Sequence, residues 1–294
     1  MLDACELSRT NMPALHEGNE ITGTLRLSVA AEWGMDPVPV VAGGGDNAAA
    51  AAGVGVIAEG DALLSLGTSG VIFAATAQFR PNPDRAMHAF CHCLPDTWHQ
   101  MAVHLSAASC IEWGARLIGL DGPESFFAVA EAAGAGTSPE LFLPYLSGER
   151  TPHNDPHARG AFVALDNDTN AGRLAAAVLE GVAFALSEGL KVLKEAGTSI
   201  EALAVVGGGA RSHYWGSIIA SSLGVRLLYL AGGEVGPALG AAKLSQMAVT
   251  GATAAEACAP PPVSHVIDPD TELTKRLADK FVRFQVASAG IRAL

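Results

Sequence analysis

An alternation of short apolar runs with helical segments is the feature that most constrains the fold. The last third of the chain holds, in order, an apolar run at 202–206, three glycines, a helical pattern at 214–223, an apolar run at 225–230 and a helical pattern at 237–247. Strands that alternate with helices are typical of a layered α/β domain. We therefore predict an α/β fold with a sheet flanked by helices.

The middle of the chain adds a predicted hairpin and one long helix. The apolar runs 62–66 and 71–75 are separated by the tight turn Gly67-Thr68-Ser69-Gly70, which favours an antiparallel hairpin. A helical pattern covers 169–196, with apolar side chains on one face at Leu174, Val178, Leu179, Val182, Leu186 and Leu190. Strands of both directions are therefore expected in the sheet.

A glycine turn near the start of the chain precedes a carboxylate. Residues 38–41 predict a short buried strand, and Gly43-Gly44-Gly45-Asp46-Asn47 follows it. Five alanines at 48–52 favour a helix with Asp46 or Asn47 near its N-cap. An aspartate at a helix start usually serves only as a cap. Here the small neighbouring residues leave room for a substrate, so Asp46 is also a candidate base for an attacking hydroxyl.

Three glycine-rich turns predict backbone contacts to a phosphate compound. They are Gly67-Thr68-Ser69-Gly70, Gly207-Gly208-Gly209-Ala210-Arg211-Ser212 and Gly232-Gly233-Glu234-Val235-Gly236-Pro237. Glycine lets a backbone approach a ligand closely, and a helix that starts after such a turn presents free N–H groups. Each turn taken alone also fits an ordinary connection between two elements. The sequence holds no Walker A motif, so the turns do not indicate a P-loop.

Composition narrows the class of protein. Charged residues make up only 16%, but the longest weakly polar stretch, 38–58, contains Asp46 and is rich in glycine and alanine. It therefore lacks the apolar bulk of a membrane span. The net charge is −12 and no Lys/Arg cluster occurs, which argues against nucleic acid as a partner. Five cysteines without a paired framework suit a reducing compartment, and we expect a cytoplasmic enzyme.

Histidines and cysteines crowd together in one segment. The residues are His88, Cys91, His92, Cys93 and His99. A metal site is one interpretation, but the CxxC pairs typical of zinc sites do not occur. We instead expect Cys91 and Cys93 to share one face of a strand, where buried thiols pack as small apolar groups.

Several motifs, taken in chain order, resemble the FGGY carbohydrate kinases. They are GGGDN at 43–47, SLGTSG at 65–70 and GGGAR at 207–211. The segments HAFCH at 88–92, LSAASC at 105–110 and FLPYLSGERTPHN at 142–154 are similar to the bacterial xylulokinase branch of that family. The resemblance covers almost the whole chain.

This resemblance implies an actin-like, RNase-H-like pair of domains with a cleft between them. Residues 59–294 would form the ATP-binding domain, and residues 1–58 would be a remnant of the sugar-binding domain. Asp46 would accept the proton of the sugar hydroxyl, the 5-hydroxyl if the sugar is D-xylulose. The β- and γ-phosphates would face Gly67, Thr68 and Ser69. The adenosine would be held by Gly207, Gly208, Gly209, Ala210, Gly236 and Leu239, and magnesium would enter with ATP.

The chain departs from the family pattern in three places. Ala164 stands where relatives often have glycine, and Arg173 stands where an acid or amide is common; we expect neither to affect ligand binding. Residues 1–58 match only the last part of the sugar-binding domain, without its Asp-Leu-Gly-Thr phosphate loop. We therefore expect a shortened chain or a gene start placed too far downstream. Such a chain should be inactive alone and should expose apolar surface that favours a homodimer.

Two alternatives stay open. Because the sugar-binding domain normally decides specificity, the chain also fits another FGGY kinase, namely a ribulokinase, gluconokinase or glycerol kinase. It fits a nucleotide-binding module without kinase activity as well, since catalysis needs both substrates held in line.

Overall fold

The computed structural model describes residues 1–232 and 236–292. Within them the strands are β1 (Ile21–Thr24), β2 (Pro39–Val41), β3 (Ala62–Leu66), β4 (Gly70–Thr76), β5 (His88–Cys91), β6 (Trp98–His104), β7 (Leu141–Leu143), β8 (Ala161–Val163), β9 (Ala202–Val206), β10 (Arg226–Leu230) and β11 (Val263–Ile267). The α-helices are α1 (Leu27–Trp33), α2 (Asp46–Val54), α3 (Ser109–Leu117), α4 (Gly122–Ala133), α5 (Ala171–Glu195), α6 (His213–Leu223), α7 (Gly236–Thr250), α8 (Ala254–Ala257) and α9 (Thr271–Arg292). Gly233, Glu234 and Val235 of the third glycine turn lie outside the described residues.

A mixed sheet is the centre of the fold. Seven of the described strands form it, in the order β11-β10-β9-β3-β4-β6-β5. The three neighbours β3, β9 and β10 run parallel, whereas β4 pairs antiparallel with β3 and places Leu66 opposite Gly70. The predicted α/β fold and the predicted hairpin are confirmed.

Helices cover both faces of this sheet. Because side chains alternate along a strand, Leu64 and Leu66 of β3 pack in the core that includes α5, while Leu63 packs with residues of α2 and α7. The long helix predicted from the apolar spacing is α5, and its residues 175–190 are buried throughout. Within the part of the chain that the structure describes, no helix combines the length and apolarity needed to cross a membrane.

The N-terminal segment is built differently. Strands β1 and β2 form a separate two-stranded antiparallel ladder. The strand predicted at 38–41 is confirmed as β2, but the prediction that it is buried is wrong, since Val40 is 43% exposed. The reason is that a two-stranded ladder covers neither of its own faces. Trp33, the last residue of α1 before its C-cap Gly34, is 65% exposed.

The histidine–cysteine segment also differs from the prediction. Strand β5 ends at Cys91, and the chain then turns, with the N–H of His92 donating to the carbonyl of Thr97 at 2.9 Å. Cys93 therefore leaves the sheet and is buried, whereas Cys91 stays on the strand and is exposed. The two cysteines do not share a strand face.

Candidate functional site

Three glycine turns lie at one edge of the sheet because they follow parallel strands. Strand β3 leads into Gly67, β9 into Gly207 and β10 towards Gly232. Ligands of open α/β sheets bind outside such carboxyl ends. The first two turns also touch, since a Cβ added at Gly207 would lie 2.8 Å from the carbonyl oxygen of Leu66, and one at Gly209 would lie 3.0 Å from it. The close approach of the two turns therefore requires glycine.

The turn at 67–70 directs the carbonyl of Thr68 inward, while the N–H of Gly67 donates within the turn to the carbonyl of Ser69 at 3.1 Å. The carbonyl of Thr68 accepts from the N–H of Ala107 at 2.9 Å and from the hydroxyl of Ser109 at 2.8 Å. Thr68 and Ser69 are exposed, and their N–H groups and hydroxyls have no acceptor among the described residues. The turn thus offers open donors to an anion. Sequence analysis missed Ser109, although it lies in the quoted segment 105–110.

The segment 142–154 supports this turn from behind. The buried carboxylate of Glu149 accepts from the N–H of Leu105 at 3.0 Å and from that of Arg150 at 2.8 Å. The hydroxyl of Thr151 accepts from the N–H of Val103 at 3.0 Å. These bonds fix the backbone that leads into residues 107–109, which hold the carbonyl of Thr68. The segment that resembles the kinases therefore supports the turn at 67–70 through these bonds.

The second and third turns differ in exposure. Gly207 has φ +95° and is exposed together with Gly208, which has open space around its Cα. Gly209 and Ala210 follow within a short 3-10 turn, Gly208–Arg211. On the first turn of α7, Leu239 is half-buried and Gly236 is buried.

Asp46 is the first residue of α2. Asp46 and Asn47 lie next to the N-cap, as predicted; the N-cap itself is Gly45, and no side chain caps the helix. Oδ1 of Asp46 accepts from the N–H of Asn47 at 2.7 Å and from its Nδ2 at 3.1 Å. Oδ2 has no hydrogen-bond partner among the described residues, and the side chain is exposed. The carboxylate is therefore oriented by one oxygen and open at the other.

Helix α2 is joined to α7 by direct backbone contact. A Cβ added at Gly240 would overlap the carbonyl oxygen of Ala49, and one at Gly53 would overlap that of Gly236. Gly236 also packs on Ala50, one helical turn beyond Asp46. The ammonium of Lys243 donates to the carbonyl of Gly53 at 2.8 Å at the other end of α2. The helix that begins with Asp46 is thus seated on the helix that follows the third glycine turn.

Two buried side chains contact the backbone of α2 and of the segment directly after it. Sγ of Cys93 lies 3.3 Å from the carbonyl oxygen of Ala48, and Nε2 of His92 lies 3.2 Å from that of Val56. Burial raises the pKa of the Cys93 thiol to about 12 and lowers the pKa of His92 to about 4. Both groups are therefore neutral near pH 7. In the ranges 1–232 and 236–292, no group of three or more His, Cys, Asp and Glu side chains is arranged to hold a metal ion.

A cavity of about 590 Å³ lies elsewhere. Its lining includes Gly55, Ala62, Ala202 and Arg226. The last three stand at or near the amino ends of β3, β9 and β10, whereas the glycine turns follow the carboxyl ends. Five residues of strand, about 16 Å, separate the two edges. The cavity also extends along β10 to Leu230, close to Gly232, whereas the turns at 67–70 and 207–210 are not part of its lining.

Two family models match this chain. The C-terminal domain model of the FGGY family of carbohydrate kinases matches residues 62–249, and the N-terminal domain model of that family matches residues 1–53. The chain belongs to the FGGY family. Asp46 lies in the region matched by the N-terminal domain model, and the turns at 67–70 and 207–211 lie in the region matched by the C-terminal domain model.

Individual relatives agree with this family. A xylulose kinase of Escherichia coli (strain K12) is 54% identical over 248 residues, which are 84% of this chain and 51% of the relative. A crystal structure of a xyloylose kinase from Brucella ovis is 44% identical with a TM-score of 0.93, covering 99% of this chain and 60% of that one. A gluconate kinase from Lactobacillus acidophilus is 22% identical with a TM-score of 0.90, covering 99% and 61%, and shows the likeness of fold alone. The chain spans about half the length of the curated relatives it matches, and the expected actin-like fold is confirmed.

Proposed function

We propose that this chain carries the nucleotide site and the catalytic base of an ATP-dependent xylulokinase, which converts D-xylulose to D-xylulose 5-phosphate. The observation that carries the proposal is the open Oδ2 of Asp46, at the start of a helix that packs on α7 beside the glycine turns. Similarity to xylulose kinases over 84% of the chain supports the choice of sugar.

Each turn has a role in this proposal. Gly67, Thr68 and Ser69 would face the β- and γ-phosphates, which the open N–H groups and hydroxyls of Thr68 and Ser69 would hold. Residues 207–210 with Gly236 and Leu239 would hold the adenosine. The open donors at Thr68 and Ser69 fit a polyphosphate. Magnesium would enter with ATP, held mainly by phosphate oxygens, and would neutralise charge on them. We place the boundary between the two domains at 58/59, between the two family matches.

Asp46 would orient the sugar and take its proton. The 5-hydroxyl would donate a hydrogen bond to Oδ2, which points the hydroxyl oxygen at the γ-phosphorus. As the new oxygen–phosphorus bond forms and the bond to the β–γ bridging oxygen breaks, the hydroxyl proton passes to Asp46. Phosphoryl transfer depends mainly on such in-line positioning and on charge stabilisation, so a base of this kind accepts the proton late.

Two forms of the protein test this function. One is the 294-residue chain itself; the other is a chimera in which it follows the part of the Escherichia coli xylulose kinase that precedes the matched region. We expect ADP release by the chimera with D-xylulose, less with L-ribulose, gluconate or glycerol, and none by the 294-residue chain alone. A chimera that prefers another of these sugars contradicts the xylulokinase proposal, and turnover of D-xylulose by the chain alone contradicts the expected inactivity.

A nucleotide-binding module without kinase activity is the second candidate. It is favoured by the length of the chain, which is about half that of its curated relatives. Calorimetry with ATP separates the two candidates when combined with the chimera, because a module binds ATP yet stays inactive in the chimera.

The cellular setting and the assembly are part of the proposal. The five free cysteines suit the reducing cytoplasm. The exposed apolar side chains near the N-terminus, including Leu27 and Trp33, favour a homodimer of the isolated chain. Sedimentation of the 294-residue chain measures that state.

A further inference from the structure

The loop after β5 reaches the turn that precedes Asp46. Cys93 is 6% exposed and packs on two glycines. A Cβ added at Gly44 would lie 2.5 Å from Cβ of Cys93, and one added at Gly18 would overlap the carbonyl oxygen of Cys93. The N–H of Gly43 donates to the carbonyl of Gly18 at 2.9 Å. The turn at 43–45 therefore contacts Gly18 through Gly43 and Cys93 through Gly44.

Hydrogen bonds fix the orientation of the two side chains in this loop. Nε2 of His92 faces the carbonyl oxygen of Val56, an acceptor, so Nε2 carries the proton and Nδ1 is an acceptor. Sγ of Cys93 lies 3.4 Å from that Nδ1 and 3.3 Å from the carbonyl oxygen of Ala48. Of these three atoms only Sγ carries a proton, and it has two acceptors within reach, Nδ1 of His92 and the carbonyl oxygen of Ala48. One of them is on the first turn of α2, two residues after Asp46.

The other side of the imidazole is held by the main sheet. Phe73 of β4 meets the His92 ring edge-on, with ring centroids 5.5 Å apart, and stacks on His99 of β6 with centroids 4.4 Å apart. Strand β4 begins at Gly70, the last residue of the 67–70 turn. The turn at 67–70 is thus linked along β4 to Phe73. Contacts then connect Phe73 to His92, Cys93 and the first turn of α2.

We propose that His92 and Cys93 are positioning residues that set Asp46 in line with the turn at 67–70. This rests on the proposed function. Cys93 acts on the backbone of α2 at Ala48. His92 acts on the backbone just after that helix, at Val56, and on the thiol of Cys93. A misplacement of about 1 Å at a reacting group costs about a hundredfold in rate, so loss of these contacts acts on the rate of transfer rather than on ATP binding.

Hydrogen exchange tests the mechanical part without any need for catalysis. In the 294-residue chain, Cys93→Ala should raise exchange about tenfold in peptides covering 43–54 and leave α5 unchanged, because the backbone acceptor that loses the thiol is Ala48 of α2. Cys258→Ala is the matched control, since Cys258 is also buried in the same apolar cluster, but no hydrogen bond joins its side chain to α2 among the described residues. Equal exchange in the two variants, or an equal rise over the whole chain, overturns the proposal.

Kinetics of the chimera test the catalytic part. Cys93→Ala should lower kcat about tenfold or more with KM for ATP within about twofold, and Cys93→Ser should restore most of it because a hydroxyl can donate to the same carbonyl. His92→Gln, which keeps a donor towards Val56, serves if Cys93→Ala does not fold, and it should lower kcat less than His92→Leu. If kcat of Cys93→Ala matches that of Cys258→Ala, the proposal is wrong. An inactive parent chimera contradicts the proposed function instead, while a local rise in exchange would still support the contact.

Discussion

The segment before Asp46 and the main sheet are held together in opposite ways. The sheet and its helices enclose a continuous apolar core, in which residues 175–190 of α5 are buried throughout. Residues 1–45 form a two-stranded ladder and a short helix, and only Gly18 and Ala30 among them are buried. The candidate nucleotide turns therefore belong to the self-supporting region, whereas the candidate base stands where the thinly packed region joins it.

This difference separates stability from activity. Substitutions in the core should change the free energy of unfolding, while substitutions at Asp46 should change activity alone. Substitutions at the contacts of α2 with α7 and Cys93, or at His92 beside them, should change both the free energy of unfolding and the activity.

Replacement of Asp46 by asparagine should have the largest effect and the least structural cost. Asn keeps the size of the side chain but cannot accept the proton, so kcat of the chimera should fall about a thousandfold. Because Asp46 is exposed, the melting temperature of the 294-residue chain should stay unchanged. Asp36→Asn, an equally exposed change in the same segment, is the control, and an active Asp46→Asn enzyme would refute the base role.

Gly240→Val should break the junction between the two regions. Its side chain would overlap the carbonyl oxygen of Ala49, so α2 and α7 must separate. We expect a loss of about 3 kcal/mol or more in the free energy of unfolding, measured with urea, and at least a tenfold loss of kcat in the chimera. Gly290→Ala in α9, where nothing lies within 4 Å of the added Cβ, should be neutral or slightly stabilising. Similar results for both variants would show that the helix contact is not tight.

Stability should fall in mild acid because of the buried imidazoles beside α2. Burial lowers the pKa of His92 and of His99 to about 4, so the unfolded chain, with a histidine pKa of about 6.5, binds protons first. The stability that the two neutral histidines contribute is present above pH 6.5 and is lost as the pH falls towards 4. His92→Gln should remove about 2 kcal/mol of the difference in unfolding free energy between pH 7 and pH 5. His157→Gln, at an exposed position, should keep the full pH dependence; an unchanged dependence in His92→Gln would contradict the assignment.

Ala164→Gly should give the smallest effect, a gain in stability. Ala164 has φ +62°, a left-handed conformation that costs a residue with Cβ about 1 kcal/mol. Thermal melts should show a gain for Ala164→Gly and a loss for the matched change Ala161→Gly in β8, and a loss in both would mean that the backbone at 164 is not strained.

Elements with strong periodicity were predictable. The apolar run at 202–206 matches β9 to the residue, and the pattern at 169–196 matches α5 (Ala171–Glu195) within two residues. A strand at Cys91 was predicted, but the end of β5 at that residue was not. The strand β11 was not predicted, because it mixes polar and apolar residues and is mostly exposed at the edge of the sheet. Propensity cannot identify such strands, since their pairing partners are distant in sequence.

The candidate site was predicted as separate parts, and its assembly was not. Glycine turns after apolar runs identified residues 67–70 and 207–210, but their proximity follows from the parallel pairing of β3 with β9. The roles of Ser109 and Cys93 depend on hydrogen bonds between residues 41 and 45 positions apart, which no local pattern reveals.

The run of alanines in α2 has a consequence for library design. Residues 48–54 are buried on every side of the helix, between α7, the main sheet and Cys93. Polarity therefore does not decide which substitutions survive there; side-chain volume does. A saturation library over 48–52 should retain glycine, serine and alanine at all five positions and lose leucine as fully as lysine, a tolerance profile that no amphipathic helix gives.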